Sequence, residues 1–320
     1  MKISIIIPIY NVEHYLLECL LSVANQSMTD GIECILVDDC GGTDGSIQIA
    51  RDFIKNYCGN IHFLLIHHRE NAGLSEARNT GINSSKGDYV YFLDSDDTIV
   101  PHTMELMWSF IKRYGDVDLV QGSFYESEKD LQTTSSYFHQ ELITDRKAIK
   151  HFLLDYKGDI VPAQSRLVNR KFLLEHKLFF KKGIIHEDNY WTFFLAKVTR
   201  TMCFCKERTY FHRYNPSSIT GNINIEKEAF AYKTLITDFC LNLDPFQRGA
   251  QKIFVLNNFL TANNNGYYKS EREKEEILYS LYAVNNVIEN FLFKIYLKVN
   301  KTFVKNKTLH LLMRMYRLFD

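Results

Sequence analysis

A chain of 320 residues has material for one large or two modest domains, and 46% hydrophobic with 24% charged residues is the balance of a globular protein. Its 38 basic residues are matched by 38 acidic ones, so no global field draws it to nucleic acid. The seven cysteines are odd in number, scattered and without a CxxC pair, which argues against a zinc site or disulfide framework and for a reducing cytosol. No apolar run approaches the roughly 18 to 20 residues that cross a bilayer. The apolar start at Ile3–Ile9, interrupted by Pro8, is too short for a signal peptide. The expectation is a cytoplasmic protein not integral to a membrane.

Ile3 to Ile7 is a β-branched run, as in a buried parallel strand, and Pro8-Ile9-Tyr10-Asn11 breaks it. Asn11 is expected to cap a helix whose apolar positions, Val12, Leu16, Cys19, Leu20 and Val23, follow helical spacing. A second strand, Glu33 to Val37, runs into Asp38-Asp39-Cys40-Gly41-Gly42-Thr43-Asp44-Gly45-Ser46, where Thr43 or Asp44 can cap a helix reaching about Tyr57. Ile61 to Ile66 reads as a third strand, and Asn71 to Asn79 opens the following helix. Tyr89 to Leu93 is a fourth strand, ending in Asp94-Ser95-Asp96-Asp97. Carboxylates this close repel unless a cation sits between them, and at a strand's C-terminal end they suit a divalent ion with oxygen ligands. A solvated acidic turn is the plainer alternative.

Strands and helices alternating in this way predict an α/β fold with a mostly parallel sheet, helices on both faces and right-handed crossovers. The loops then open on one edge, where such sheets bind ligands. Neither GxGxxG nor GxxxxGK[ST] is present, which argues against a dinucleotide enzyme or a P-loop NTPase.

The succession IIIPIYNVEHYLLECLLSVANQS, VDDCGGTDGS, NAGLSEARNTGI and GDYVYFLDSDD resembles a family 2 glycosyltransferase, closely over residues 1 to 120 and more loosely to about 220. The resemblance implies the Rossmann-like GT-A fold and inverting transfer of a sugar from a nucleoside diphosphate. It implies that Pro8, Tyr10 and Asp39 line the nucleobase and ribose pocket, with Asn71, Gly73 and Arg78 beside the donor. Asp94 and Asp96 match the Asp-x-Asp motif that holds Mn²⁺ or Mg²⁺, with Ser95 between them at the donor and Asp97 adjacent. The usual Gly-Ser after the paired aspartates is Cys40-Gly41-Gly42 here.

Farther on, Pro101 to Tyr114 reads as a helix and Asp118 to Tyr125 as a strand, and the polar stretch 127–140 is expected to be a loop near the acceptor. Residues 145–156 and 170–177 follow helical patterns, with a short strand at Arg166 to Asn169. In Gly183-Ile184-Ile185-His186-Glu187-Asp188-Asn189-Tyr190-Trp191, two carboxylates open a helix, where capping alone would favour them. The pair also matches the family's acceptor-side Glu-Asp motif, which implies that Asp188 is the general base; His186 is read as structural or as a group that supports the site from behind. The segment from Thr209 to Thr220 is similar to the Tyr-x-x-Arg…Ser-Ile-Thr segment of polysaccharide-making members, implying a loop that closes over the donor with Arg213, and His212 or Ser218, at the diphosphate; a surface loop is the alternative.

From about residue 225 the pattern is helical, and residues 291–320 interleave lysines and arginines with bulky apolar residues. Such a face can lie on a membrane, dock on the catalytic domain, or pair with a second copy in a homodimer. The expected organisation is a nucleotide-sugar-binding domain over 1–222, with a donor half over about 1–120 and an acceptor half over about 121–222, and a helical C-terminal region over 223–320. The expected activity is metal-dependent hexosyl or N-acetylhexosaminyl transfer from a nucleotide-sugar donor, with UDP favoured, to a glycan or lipid-linked acceptor. It would serve surface polysaccharide biosynthesis at the inner face of the membrane. A nucleotidyltransferase would need a Gly-rich basic loop after the first strand, which is missing. A non-catalytic donor-binding or scaffolding homologue is the other reading, and retention of every acidic motif speaks against it.

Overall fold

β1 (Ile3–Ile9) is buried at all seven positions, as a strand must be when it has neighbours on both edges and helices on both faces. It pairs in parallel with β2 (Ile32–Asp38) and β4 (Tyr89–Phe92), and β3 (His62–His67) extends the sheet beyond β2. The computed structural model describes residues 1–125, 140–154, 163–215, 224–268, 270–299 and 302–318; the expected loop at 127–139 lies outside them.

The crossovers are α1 (Glu13–Ala24), α2 (Ser46–Asn56) and α3 (Leu74–Ser84). Ile3, Ile5, Ile7 and Ile9 share one core with Leu16 and Leu20 of α1 and with Met104 and Met107 of α4 (Thr103–Tyr114). On the other face, Ile35 and Val37 pack against Ala77 of α3. Helix α3 comes so close to the sheet that a Cβ on Gly81 would stand 2.3 Å from Ile6 Cγ2. Helices therefore cover both faces, as the alternation predicts.

Beyond β4 the sheet becomes mixed. β8 (Arg166–Asn169) runs antiparallel to both β4 and β6 (Leu119–Tyr125). β9 (Met202–Phe211) runs parallel to β6 and antiparallel to β5 (Thr98–Ile99) and β7 (Leu142–Ile143). The order is β3-β2-β1-β4-β8-β6-β9-β5, with β7 on β9. Two further helices, α5 (Arg146–Leu154) and α6 (Arg170–Glu175), lie near their expected positions.

The start of α1 differs from expectation. Asn11 does not cap it: its φ is +52°, and its side-chain oxygen accepts from Thr43 N–H at 2.8 Å. Val12 N–H donates to Ser46 Oγ and Glu13 N–H to Asp44 Oδ2, while Glu13 Oε2 accepts from Gly45 N–H. The donors at the head of α1 are thus satisfied by the loop before α2, which ties two loops of the sheet edge together.

The chain divides into two compact units, one of Met1–Ile149, Pro162–Gly183 and Val198–Gly221, the other of Lys150–Val161, Ile184–Lys197 and Asn222–Asp320. The second is built from α7 (Glu187–Val198), α8 (Ile225–Leu241), α9 (Gly249–Asn264), α10 (Glu271–Val284), α11 (Val287–Lys298) and α12 (Thr302–Leu318). Helix α9 is buried nearly all round and forms its centre. Phe193 and Phe239 stack with centroids 4.1 Å apart, and Phe254 of α9 lies against Phe239. Asn224, Ser270 and Asn286 cap α8, α10 and α11, the last in a reciprocal box with Glu289. Helices α11 and α12 turn Phe293, Tyr296, Leu312 and Tyr316 inward.

Candidate active site

At the C-terminal edge of β2, Asp39 is only 4% exposed and both its oxygens are engaged. Oδ1 accepts from Ala72 N–H at 2.9 Å and Oδ2 from Gly73 N–H at 2.8 Å. His68 Nδ1 lies 2.9 Å from Oδ1, and its Nε2 meets Thr80 Oγ1 at 2.9 Å. Asp39 thereby fixes the loop before α3, where Gly73 takes φ +88°, a conformation that glycine adopts without strain. Asn71 reaches back to the Cys40 carbonyl at 3.3 Å, closing one loop onto the other. Pro8 is buried within β1, whereas Tyr10, two residues on, is 48% exposed on the same edge.

Arg78 of α3 connects this loop pair to the acidic one. It is 1% exposed, lies 5.1 Å from the Phe180 ring and bonds Asp94 Oδ1 at 2.8 Å. Asp94 Oδ2 accepts from Gln164. Asp96 Oδ2 accepts from Asn215 at 2.8 Å. Burial first, and then the charge of Asp94, push the Asp96 carboxyl above the usual carboxylate range. Ser95 between them is buried.

Asp97 is set apart by its full burial. Tyr210 donates to its Oδ2 at 2.5 Å and Arg213 N–H to its Oδ1 at 2.8 Å. The Tyr210 hydroxyl also accepts from Asp94 N–H. Burial, followed by Asp94, raises the Asp97 carboxyl strongly. Asp97 therefore pins the acidic turn to β9, while Asp94 and Asp96 border the open edge.

The fit to a divalent ion follows from this division. Among the described residues no three His, Cys, Asp or Glu side chains form a ready cage. Two crowded carboxylates with oxygen donors alone match an ion of the Mg²⁺ type, which binds through one or two carboxylates and completes its shell with phosphate and water.

Arg213 is held by its own unit. Its guanidinium bonds Glu18 at 2.8 Å and lies 5.5 Å from the Tyr15 ring. Ser218 lies outside the described residues. In the helical unit, Asp188 occupies the first turn of α7 and is half-buried, while its neighbour Glu187 is buried. His186 takes φ +59° and pairs with Glu228 at 2.8 Å. Sequence reasoning missed Tyr210, Gln164 and Asn215, whose bonds to the acidic turn span 70 to 119 positions. Tyr210 lay within the segment singled out for Arg213, but nothing local marks its partner.

A family model for "Glycosyl transferase family 2" matches residues 4–176. The chain belongs to that family. It is 31% identical over 229 residues to glycosyltransferase GlyA of Streptococcus pneumoniae serotype 4, covering 68% of this chain and 31% of GlyA. It is 29% identical over 297 residues to the minor teichoic acid biosynthesis protein GgaA of Bacillus subtilis, covering 85% of this chain and 63% of GgaA. The chain thus spans less than two thirds of either relative. In three dimensions it is similar to S. aureus TarS 1–349, a crystal structure in complex with UDP-GlcNAc, with a TM-score of 0.69 at 19% identity over 99% of this chain and 90% of that one. The fold is GT-A, as the motif succession implies.

Proposed function

We propose that the protein transfers a hexosyl or N-acetylhexosaminyl group from a UDP-sugar to a glycan or lipid-linked acceptor in surface polysaccharide assembly, with inversion. One observation carries the reading: three β–α loops meet at the C-terminal edge of a GT-A sheet, where Asp94 and Asp96 stand side by side, anchored by Arg78 and Asn215. The relationship to a teichoic acid biosynthesis protein and the fold shared with a UDP-GlcNAc-bound protein support the substrate class.

Tyr10 and the loop held by Asp39 would receive the nucleoside, with Asn71, Gly73 and Arg78 at the donor. Asp94 and Asp96 would hold Mn²⁺ or Mg²⁺, which when bound offsets the charge of the diphosphate. Arg213 and Ser218 are assigned to the diphosphate, for which the planar guanidinium is suited because it can donate two parallel hydrogen bonds. Asp188 takes the proton of the acceptor hydroxyl as that oxygen attacks the anomeric carbon opposite the leaving group. One displacement inverts the configuration. The setting is the cytoplasmic face of a membrane, reached through the basic and apolar surface of α11 and α12.

Calorimetry of UDP binding in Mn²⁺ and in EDTA tests the assignment of the carboxylates. Asp96→Asn should weaken binding in Mn²⁺ far more than in EDTA. Equal affinities of wild type and variant in Mn²⁺ remove Asp96 from the metal site.

A further inference from the structure

Two residues that flank Asp188 are tied down by buried partners on other helices of the helical unit. The first is His186, which immediately precedes α7 and takes φ +59°. A residue with a Cβ keeps that conformation only where its surroundings hold it there. Glycine adopts it without strain but has no side chain, and here the side chain is the tie. His186 Nε2 lies 2.8 Å from Glu228 Oε2. A carboxylate accepts, so Nε2 is the ring nitrogen that donates.

Glu228 is a fixed point for that bond. It is buried in the first turn of α8, where its N–H donates to the Asn224 carbonyl at 2.9 Å. Tyr232, one turn farther along the same helix face, sets its ring 5.0 Å from the His186 ring. The imidazole is thereby bonded at one nitrogen and packed on one side.

The second residue is Asn189. Its Nδ2 donates to Asn258 Oδ1 of α9 at 3.0 Å. Asn258 is buried and is itself oriented by donation from its Nδ2 to the Phe254 carbonyl at 2.8 Å. The backbone closes the turn, since Asn189 N–H and Tyr190 N–H both meet the His186 carbonyl, at 3.1 and 3.4 Å. Half-buried Asp188 lies in sequence between the two ties. The first turn of a helix frays easily, and a carboxylate on it moves with the backbone. A general base has little tolerance for such movement, because a misplacement of ~1 Å can cost ~100-fold in rate.

Resting on the reading of Asp188 as the general base, we propose that Glu228 and Asn258 are its positioning residues. Through His186 and Asn189 they fix the first turn of α7, and with it the direction in which the Asp188 carboxylate is presented to the acceptor. Their part is geometric, and neither exchanges a proton.

The test follows UDP release from UDP-N-acetylglucosamine, UDP-glucose and UDP-galactose by the full chain in Mn²⁺, with water as the acceptor. Calorimetric UDP affinity and melting temperature are measured alongside. Glu228→Leu, similar in size but unable to accept, should lower the rate by ~10- to 100-fold while UDP affinity stays at the wild-type value. Glu228→Gln, whose amide oxygen still accepts from Nε2, should stay near wild type. Asn189→Ala removes the other tie without changing a fully buried side chain, should slow release by ~10-fold, and serves if Glu228→Leu does not fold. Combined with Asp188→Asn, either substitution should slow release no further, because the group it misplaces has lost its function; a general loss of structure would slow both backgrounds alike. Release as fast in Asp188→Asn as in wild type overturns the general-base reading and the positioning with it. Release that falls in Asp188→Asn but not in Glu228→Leu or Asn189→Ala, or that these two lower equally in both backgrounds, overturns the positioning alone.

Discussion

Asp96 and Asp97 are adjacent in the chain and differ in what their oxygens meet. Tyr210 and the Arg213 backbone take both oxygens of Asp97, whereas the Asp96 bond to Asn215 uses Oδ2. Sequence alone left three candidate carboxylates for the ion; Arg78 and Gln164 take both oxygens of Asp94 as well, so what sets Asp97 apart is its full burial, and the proposed ligands are the half-buried Asp94 and Asp96. A similar contrast separates Glu187, which is buried, from Asp188, which is half-buried in the first turn of α7. Asp188→Asn keeps the shape and any capping bond but removes the basic oxygen. General-base catalysis contributes ~10² to 10⁴ in rate, so the turnover number for sugar transfer should fall by at least ~100-fold. UDP affinity and melting temperature should stay near wild type. Glu187→Gln, as the internal control, should be milder in turnover. An Asp188 variant that retains more than about a tenth of wild-type turnover, with chemistry rate-limiting, reduces the residue to a helix cap.

Among the elements, β4 and α9 show what local pattern reveals and what it hides. The parallel strands were legible because burial on both faces demands unbroken apolar runs, such as Ile3–Ile9 and Tyr89–Phe92. The head of α1 was not, because its cap comes from Asp44 and Ser46, more than 30 residues away. The bond between Lys252 and Glu289, 37 positions apart, was equally hidden. At Tyr89, burial pushes the phenol up to about 12, and its hydroxyl donates to the Val117 carbonyl. The folded pKa lies above the unfolded value of about 10. The folded state therefore keeps its proton longer, and this contribution is complete below pH ~10 and lost as pH rises toward 12. The amount at stake is on the order of 2–3 kcal/mol. Tyr89→Phe should cost about 1 kcal/mol at neutral pH and flatten the stability loss above pH 10, measured by urea unfolding across pH. A variant whose alkaline slope matches wild type denies Tyr89 that role. Lys252→Met leaves a buried carboxylate without its cation and should destabilise the helical unit by about 3–5 kcal/mol. Adding Glu289→Gln, which keeps the capping geometry, should recover much of that loss. If the single and double variants melt alike, the charge pair is not what holds α9 to α11.

For the whole molecule, the C-terminal helices both pack inward and carry the surface proposed to meet a membrane. No helix among the described residues is long and apolar enough to cross a membrane. Removing everything after about residue 290 would be a natural way to test a membrane contact, but α11 and α12 supply Phe293, Tyr296, Leu312 and Tyr316 to the interior. A truncated chain would therefore lose its packing along with its surface. The outward residues give a cleaner test: Val287, Ile288, Phe291, Leu311 and Leu318 are exposed, together with Lys294, Lys298, Lys307 and Arg314. The described exposed positions of α11 and α12 include no acidic residue, so this surface complements an anionic bilayer. Each basic residue near such a surface contributes on the order of 1 kcal/mol. Lys298→Gln/Lys307→Gln/Arg314→Gln should then reduce co-sedimentation with phosphatidylserine-containing vesicles by about 100-fold, and raised salt should mimic the change in wild type. Binding to purely zwitterionic vesicles should be weak for both proteins, and the far-UV circular dichroism and UDP affinity of the variant should match wild type. If the triple variant sediments with anionic vesicles as well as wild type does, the membrane reading of this surface fails. If it instead shifts from dimer to monomer in light scattering, the same residues face a second copy of the chain.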